Sequence, residues 1–142
     1  MDCSNLRSHV KKAIVLIDSD LGFLFWLGQA LDHAGYEAFP ARNMPDVLEI
    51  ISEFHLTLTL AIVNGALPGA EALVRQLRET NPGLPVLWLV DSPDLPVPDI
   101  SDDTLYSDCI KPAHLTEDAK TDLLRRVHNI LQPRPATMRF RV

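Results

Sequence analysis

The sequence predicts an α/β domain in which helices cover both faces of a parallel five-stranded sheet. Short runs of β-branched and aliphatic residues, apolar throughout, alternate with segments whose apolar residues recur at helical spacing. Glycine and proline residues separate these segments. Strands that alternate with helices are joined by right-handed crossovers. We therefore expect a three-layer sandwich.

The first strand and helix are bounded by polar residues and a glycine. The aliphatic run 13–17 ends abruptly at Asp18, which is typical of a strand buried on both faces. Residues 21–34 carry apolar side chains at helical spacing, with Asp20 as the expected N-cap and Gly35 after the last turn. These segments form the first strand–helix pair.

The same pattern recurs twice more. A second strand over residues 36–39 precedes a helix that Pro45 opens and that continues to about residue 53. A third apolar strand over residues 58–63 ends at Asn64, and the turn 67–69 leads into a third helix. Each strand is thus followed by a crossover helix.

The last third of the chain departs from the pattern once. A strand over residues 86–90 is followed by three prolines within residues 93–98, which cannot lie in the interior of a regular helix. We expect the fourth crossover to be mostly a loop. A weaker strand over residues 105–110 and a helix over 116–131 complete the domain.

Composition limits the function classes. The chain has 142 residues, of which 46% are hydrophobic, as expected of one domain. A net charge of -6 makes nucleic-acid binding improbable. No apolar stretch reaches the roughly 20 residues that span a bilayer, and no signal peptide is apparent, so we expect a cytoplasmic protein without membrane contact. We expect a domain over residues 12–131, an N-terminal extension over 1–11 and a basic, proline-containing tail over 132–142.

Four short motifs follow or precede the predicted strands. They are Ile-Val-Leu-Ile-Asp-Ser-Asp at 14–20, Ala-Gly-Tyr-Glu at 34–37, Leu-Pro-Gly at 67–69 and Lys-Pro at 111–112. In this order and at these separations they resemble the receiver domain of two-component response regulators, over residues 12–131. The resemblance implies a flavodoxin-like (CheY-like) sheet of order 2-1-3-4-5, with the fourth helix reduced or replaced by the proline-rich loop. It also implies a site beyond the carboxyl ends of strands one and three.

Receivers phosphorylate an aspartate at the end of strand three, with help from a divalent cation, a hydroxyl group and a lysine. At the corresponding positions this chain has Asn64 in place of the aspartate and Val90 in place of the hydroxyl residue. An amide does not form the acyl phosphate, and valine has no hydrogen-bond donor to offer. Asp91 replaces the usual small residue, and we expect it to pair with Lys111. The resemblance therefore implies a degenerate phosphorylation pocket, of pseudo-receiver type.

The cation site is also reduced. Asp18 is retained, but Ser19 replaces the second acidic residue and Asn64 is neutral. Asp20 is better explained as a helix cap than as a ligand. We therefore expect no cofactor and no metal, although weak Mg²⁺ binding at Asp18 and Asp20 stays open.

Three apolar residues of the first helix, Leu21, Leu24 and Phe25, fall off its core-facing stripe, and we expect them to be exposed. In receivers this helix is part of the face that docks histidine kinases and phosphotransfer domains. We therefore expect a non-enzymatic domain that binds a signalling protein, such as a histidine kinase, a phosphotransfer protein or an effector protein, and a homodimer stays open. The alternative is a small-molecule or nucleotide-binding domain that uses the crevice at the ends of strands one and three. A third reading is a receiver that uses Asp18 or Asp20 as a poor phosphoacceptor.

Overall fold

Five parallel strands form the central sheet of this computed structural model, which describes residues 11–54, 57–93 and 105–132. Within these residues the chain alternates between strand and helix, except between the last two strands. The elements in chain order are β1 (Ala13–Ile17), α1 (Leu21–His33), β2 (Glu37–Ala41), α2 (Met44–Phe54), β3 (Leu58–Asn64), α3 (Ala70–Thr80), β4 (Val86–Val90), β5 (Tyr106–Ile110) and α4 (Glu117–Leu131).

The strand order is β2-β1-β3-β4-β5, and every neighbouring pair is parallel, which confirms the predicted sheet. The chain leaves β1 toward β2 on one side and then crosses to β3 on the other. Side chains that follow β1 and β3 therefore flank the point where the strand order reverses, which is where α/β sheets of this kind bind ligands.

Two hydrophobic clusters cover the two faces of the sheet, because successive side chains of a strand point to opposite faces. Helices α1 and α4 cover one face, and α2 and α3 cover the other. The first cluster includes Ile14, Leu16, Leu60, Ile62, Leu87 and Leu89 of the sheet. The second includes Val15, Ile17, Ala61, Val63, Val86 and Trp88.

The ends of α1 follow the sequence prediction. The Phe23 N–H donates to Asp20 Oδ1 over 3.2 Å, so Asp20 is the N-cap. Beyond the last turn, Gly35 adopts a φ of 98°, a left-handed conformation that glycine tolerates without strain. The strand and helix limits given in the prediction otherwise agree with the structure to within two residues.

The prediction that Leu24 is exposed is wrong. Its exposed fraction is 4%, whereas that of Leu21 is 59% and that of Phe25 is 69%. Helix α1 packs against α4 as well as against the sheet, and Leu24 belongs to the same cluster as Leu123 of α4. Contact with α4 widens the buried stripe of α1, and Leu24 falls within the widened stripe.

Three predictions concern segments that the structure largely leaves out. Most of the proline-rich loop (residues 94–104), most of the N-terminal extension (1–10) and most of the basic tail (133–142) lie outside the described residues. Among the helices that are described, none has the length and apolar composition needed to cross a membrane.

The contrast between two neighbouring residues of α1 is testable by denaturation. We expect Leu24→Ala to lower the free energy of unfolding by about 2–4 kcal/mol, because it leaves a cavity in the core. Phe25→Ala should change it by less than about 0.5 kcal/mol, because that side chain is largely exposed. Urea titrations followed by circular dichroism measure both values, and equal losses would contradict the packing described for α1.

Candidate functional site

Three of the predicted site residues meet at one edge of the sheet. Asp18 directly follows β1, Asn64 is the last residue of β3, and Lys111 directly follows β5. Parallel strands end at the same edge of a sheet, so the three side chains converge there although they are far apart in sequence. Asp18 and Asn64 are the buried polar side chains among the described residues.

Asp18 is the centre of this cluster, with an exposed fraction of only 1%. Its Oδ1 atom accepts hydrogen bonds from the Asn64 amide over 3.2 Å and from the Asp20 N–H over 3.0 Å. Its Oδ2 atom lies 2.9 Å from Lys111 Nζ, at an angle outside that of a directed hydrogen bond. The contact is therefore an ion pair, and it neutralises a carboxylate that water does not reach.

Lys111 is held by several groups at once. Its Nζ atom lies 3.6 Å from Asp20 Oδ2, in addition to the ion pair with Asp18. The ammonium also sits 4.7 Å from the centre of the Phe23 ring, within the range of a cation–π contact. Only 14% of the Lys111 side chain is exposed. The cation is thus fixed above β1 and the start of α1.

The predicted pairing of Lys111 with Asp91 is wrong. In the part of the chain that the structure describes, the ion pairs of Lys111 are with Asp18 and Asp20. The Lys111 side chain reaches across the sheet edge toward β1, whereas Asp91 begins the loop after β4 and is exposed. The Lys111 N–H still joins the two strands, because it donates to the Val90 carbonyl over 2.8 Å.

Both polar ends of the Asn64 amide are in use. Its nitrogen donates to Asp18, and its oxygen accepts from the Ala66 N–H over 2.9 Å. The two bonds together define which end of the amide faces Asp18. Asn64 thus joins the end of β1 to the loop that follows β3.

Asp20 serves two purposes in this arrangement. It caps α1, and it supplies the second carboxylate near Lys111. The hydrogen bond from the Phe23 N–H, and then the charge of Lys111, lower the pKa of Asp20 below its ordinary value, while burial opposes them. Its neighbour Ser19 is exposed.

The remaining predicted pocket residue, Val90, is half-buried and packs against the cluster under α2 and α3. Valine brings no polar atom to the sheet edge. On β5, the Tyr106 hydroxyl lies 3.3 Å from Asp108 Oδ2, as expected for residues two apart on a strand. Burial, and then the Asp108 charge, raise the pKa of Tyr106 to about 12.

Trp88 determines the course of the loop after β3. The sequence pattern did not predict this role. A Cβ atom on Gly65 would overlap the indole ring of Trp88, so the ring covers the backbone there and glycine is the residue that fits. The Gly65 N–H donates to the Leu89 carbonyl over 2.8 Å. The register of β3 and β4, which pairs Val63 with Trp88, brings these residues together, and a sequence pattern does not reveal it.

The residues present do not fit a bound Mg²⁺ ion. Magnesium requires several oxygen ligands in near-octahedral geometry. At this edge the Lys111 ammonium already stands beside the Asp18 and Asp20 carboxylates, and Asn64 presents its amide nitrogen to Asp18. Among the described residues, no group of three or more His, Cys, Asp or Glu side chains is arranged to hold a metal.

Comparisons with known proteins identify the fold that carries this polar cluster. No protein-family model and no curated protein sequence matches the chain. A CheY-like response regulator receiver domain protein from Methanospirillum hungatei JF-1 superposes with a TM-score of 0.70 at 22% identity, over 86% of this chain and 94% of that one. The chain has the fold of a CheY-like receiver domain.

Two further receiver structures superpose similarly. The signal receiver domain of an HD domain-containing protein from Pseudomonas fluorescens Pf-5 gives a TM-score of 0.68 at 22% identity, over 87% of this chain and 96% of that one. The receiver domain of the hybrid histidine kinase CckA superposes with a TM-score of 0.65 at 21% identity, over 84% of this chain and 99% of that one. At such identities the likeness concerns the receiver fold. On that fold, Asp18, Asn64 and Lys111 occupy the edge where parallel sheets of this order hold their sites.

The ion pair between Lys111 and Asp18 should contribute to the stability of the fold. Lys111→Met leaves the buried Asp18 carboxylate without its cation and should lower the free energy of unfolding by about 3–5 kcal/mol. Lys120→Met removes an ion pair with Glu117 on α4, whose carboxylate is exposed, and should cost less than about 1 kcal/mol. Urea denaturation of both variants measures the difference, and a similar small loss in both would show that Asp18 does not depend on Lys111.

A second prediction concerns the amide. Asn64→Asp places a second carboxylate beside Asp18, so the variant should lose about 2 kcal/mol of stability in the presence of a chelator. Added Mg²⁺ should raise the melting temperature of this variant but not that of the parent. Asn129→Asp, an exposed change of equal charge on α4, serves as the control. A parent protein stabilised by Mg²⁺ as strongly as the variant would contradict the poor fit described above.

Proposed function

We propose that this chain is an atypical receiver domain of two-component (phosphorelay) signalling that acts through protein–protein interaction and is not itself phosphorylated. The observation that carries the proposal is the closed set of contacts among Asp18, Asn64 and Lys111. The lysine and the residue at the phosphoacceptor position both contact a buried carboxylate, so a phosphoryl group would have to displace these contacts in order to bind them.

The chemistry of position 64 supports the proposal. The nitrogen lone pair of an amide is delocalised, so Asn64 is a poor nucleophile toward phosphorus. Its oxygen is also held by the Ala66 N–H, and its nitrogen by Asp18. At the end of β4, Val90 offers no donor for phosphoryl oxygens, and the negative charge of Asp91 would repel them.

The other carboxylates at this edge are poor substitutes for the missing aspartate. Asp18 is buried and paired with Lys111, and Asp20 is committed to capping α1. Attack by either would break the contacts that hold the ends of β1 and α1. We therefore propose a domain without catalytic activity and without a cofactor.

A partner surface remains on α1. Leu21 and Phe25 have exposed fractions of 59% and 69%, although both are large apolar residues. Exposed apolar side chains grouped on one helix often mark protein contacts. We propose that they bind a signalling protein of the cytoplasm, such as a histidine kinase, a phosphotransfer protein or an effector. The CckA receiver belongs to a hybrid histidine kinase, which is consistent with such a partner.

Intact-mass measurement after incubation with acetyl phosphate and Mg²⁺ tests the loss of phosphorylation. We expect the parent protein to gain no phosphoryl group, because position 64 carries an amide. Unfolded protein and the Asn129→Asp variant serve as controls for non-specific modification. A parent protein that gains one phosphoryl group while folded, mapped by peptide sequencing to any carboxylate of the pocket, would overturn the proposal.

A two-hybrid screen against the histidine kinases and phosphotransfer proteins of the source genome tests the partner surface. We expect an interaction that Phe25→Glu abolishes, because a charge within the apolar patch formed by Leu21 and Phe25 opposes its burial. The matched control is Leu48→Glu, which changes an exposed leucine of α2 on the opposite face of the sheet. Loss of binding in both variants, or in neither, would contradict a contact through α1.

A further inference from the structure

A cavity of about 300 Å³ opens beside the polar cluster, on the face of the sheet that carries α2 and α3. The end of β1, the connection between β2 and α2, and the start of α3 enclose it. Its wall is mainly apolar. The lining includes Ile17, Arg42, Met44, Leu67, Ala72 and Leu73.

The size of the cavity limits its occupant. At about 30 Å³ for each water in the liquid, the cavity has room for the equivalent of about ten waters. It falls at the lower limit of the volumes typical of ligand pockets. A nucleotide is too large and too polar for this space, so the volume and the wall favour a compact apolar molecule.

The charged side chain that lines the cavity indicates which polar group the occupant carries. Arg42 is the one charged side chain that lines it within the described residues, and its guanidinium is not part of any ion pair described there. Arg42 is exposed and directly follows β2. A guanidinium at the rim of an apolar pocket is suited to a planar carboxylate, which it binds through two parallel hydrogen bonds.

The adjacent end of α3 adds to this field. Helix α3 begins at Ala70, and its N-cap, Gly69, supplies no side-chain hydrogen bond to the first turn. Both residues line the cavity. The positive end of a helix favours a nearby anion, and the one acidic residue of this first turn, Glu71, is paired with Arg75.

We propose that this cavity binds a small organic acid with an apolar body of about ten non-hydrogen atoms and one carboxylate. The apolar body contacts Ile17, Met44, Leu67 and Leu73, and the carboxylate faces Arg42. The site lies at the ends of β1 and β3, where the sequence analysis placed its alternative hypothesis, but it is formed by other residues than the polar cluster. It goes beyond the proposed function and does not depend on it.

Benzoate is a suitable first probe, because it combines an aromatic ring with one carboxylate. An amide NMR titration of the full chain should give saturable shifts at Ile17, Met44 and residues 67–73. Benzamide, which has the same shape without the charge, should bind at least about tenfold more weakly. Arg42→Gln should weaken benzoate to the level of benzamide, and Ala72→Phe should abolish both by filling an exposed side of the cavity.

Two matched variants on α4, at the opposite face, control for charge and bulk. Arg125→Gln and Thr121→Phe change exposed residues and should leave benzoate binding unchanged. Absence of saturable shifts around the cavity, or equal binding of benzoate and benzamide that Arg42→Gln does not alter, would overturn the proposal. The titration requires neither a phosphoryl donor nor a protein partner, so its failure is distinguishable from a failure of the proposed function.

Discussion

The rest of this sheet edge depends on the neutralisation of one buried carboxylate. Asp18 is almost fully removed from water, and an isolated charge in that position would cost several kcal/mol. The Lys111 ammonium neutralises it and the Asn64 amide donates a hydrogen bond to it, and in doing so they tie the ends of β1, β3 and β5 together. The same carboxylate accepts the Asp20 N–H, so the start of α1 is held by the same group.

This constraint is the physical basis of the proposal that the pocket does not respond to phosphorylation. In a phosphorylated receiver, the lysine and the acidic residues serve an incoming ligand, and the fold responds to it. Here Lys111 is held by two carboxylates and the Phe23 ring, and the residue at position 64 bonds to Asp18 and Ala66. A ligand that binds to Asp18, Asn64 or Lys111 must first displace those contacts. A surface that is presented constantly, such as the exposed part of α1, is a physically consistent output for such a domain.

The parallel sheet was predictable, because alternation of apolar strands and amphipathic helices favours right-handed crossovers, and the resemblance to receiver domains implied the strand order. The resemblance also implied that Asp18, Asn64 and Lys111 belong to one site, and they converge because strand ends of a parallel sheet meet at one edge. The direction of a side chain did not follow, because Lys111 reaches Asp18, whereas the expected partner was Asp91. Helical periodicity alone also misplaced Leu24, because it describes contact with the sheet and not with α4. The cavity beside Arg42 arises from three separate connections, which no local pattern brings together.

The most direct measurement is an amide NMR titration of the purified protein with Mg²⁺ and then with beryllofluoride, a phosphoryl mimic that reports on the pocket without turnover. If Asp18, Asn64 and Lys111 already satisfy one another, the amides around them show no saturable shift with either addition. Saturable shifts at these residues that extend into β5 would mean that the pocket still binds a phosphoryl group and transmits the event. That result would contradict a domain that acts independently of phosphorylation.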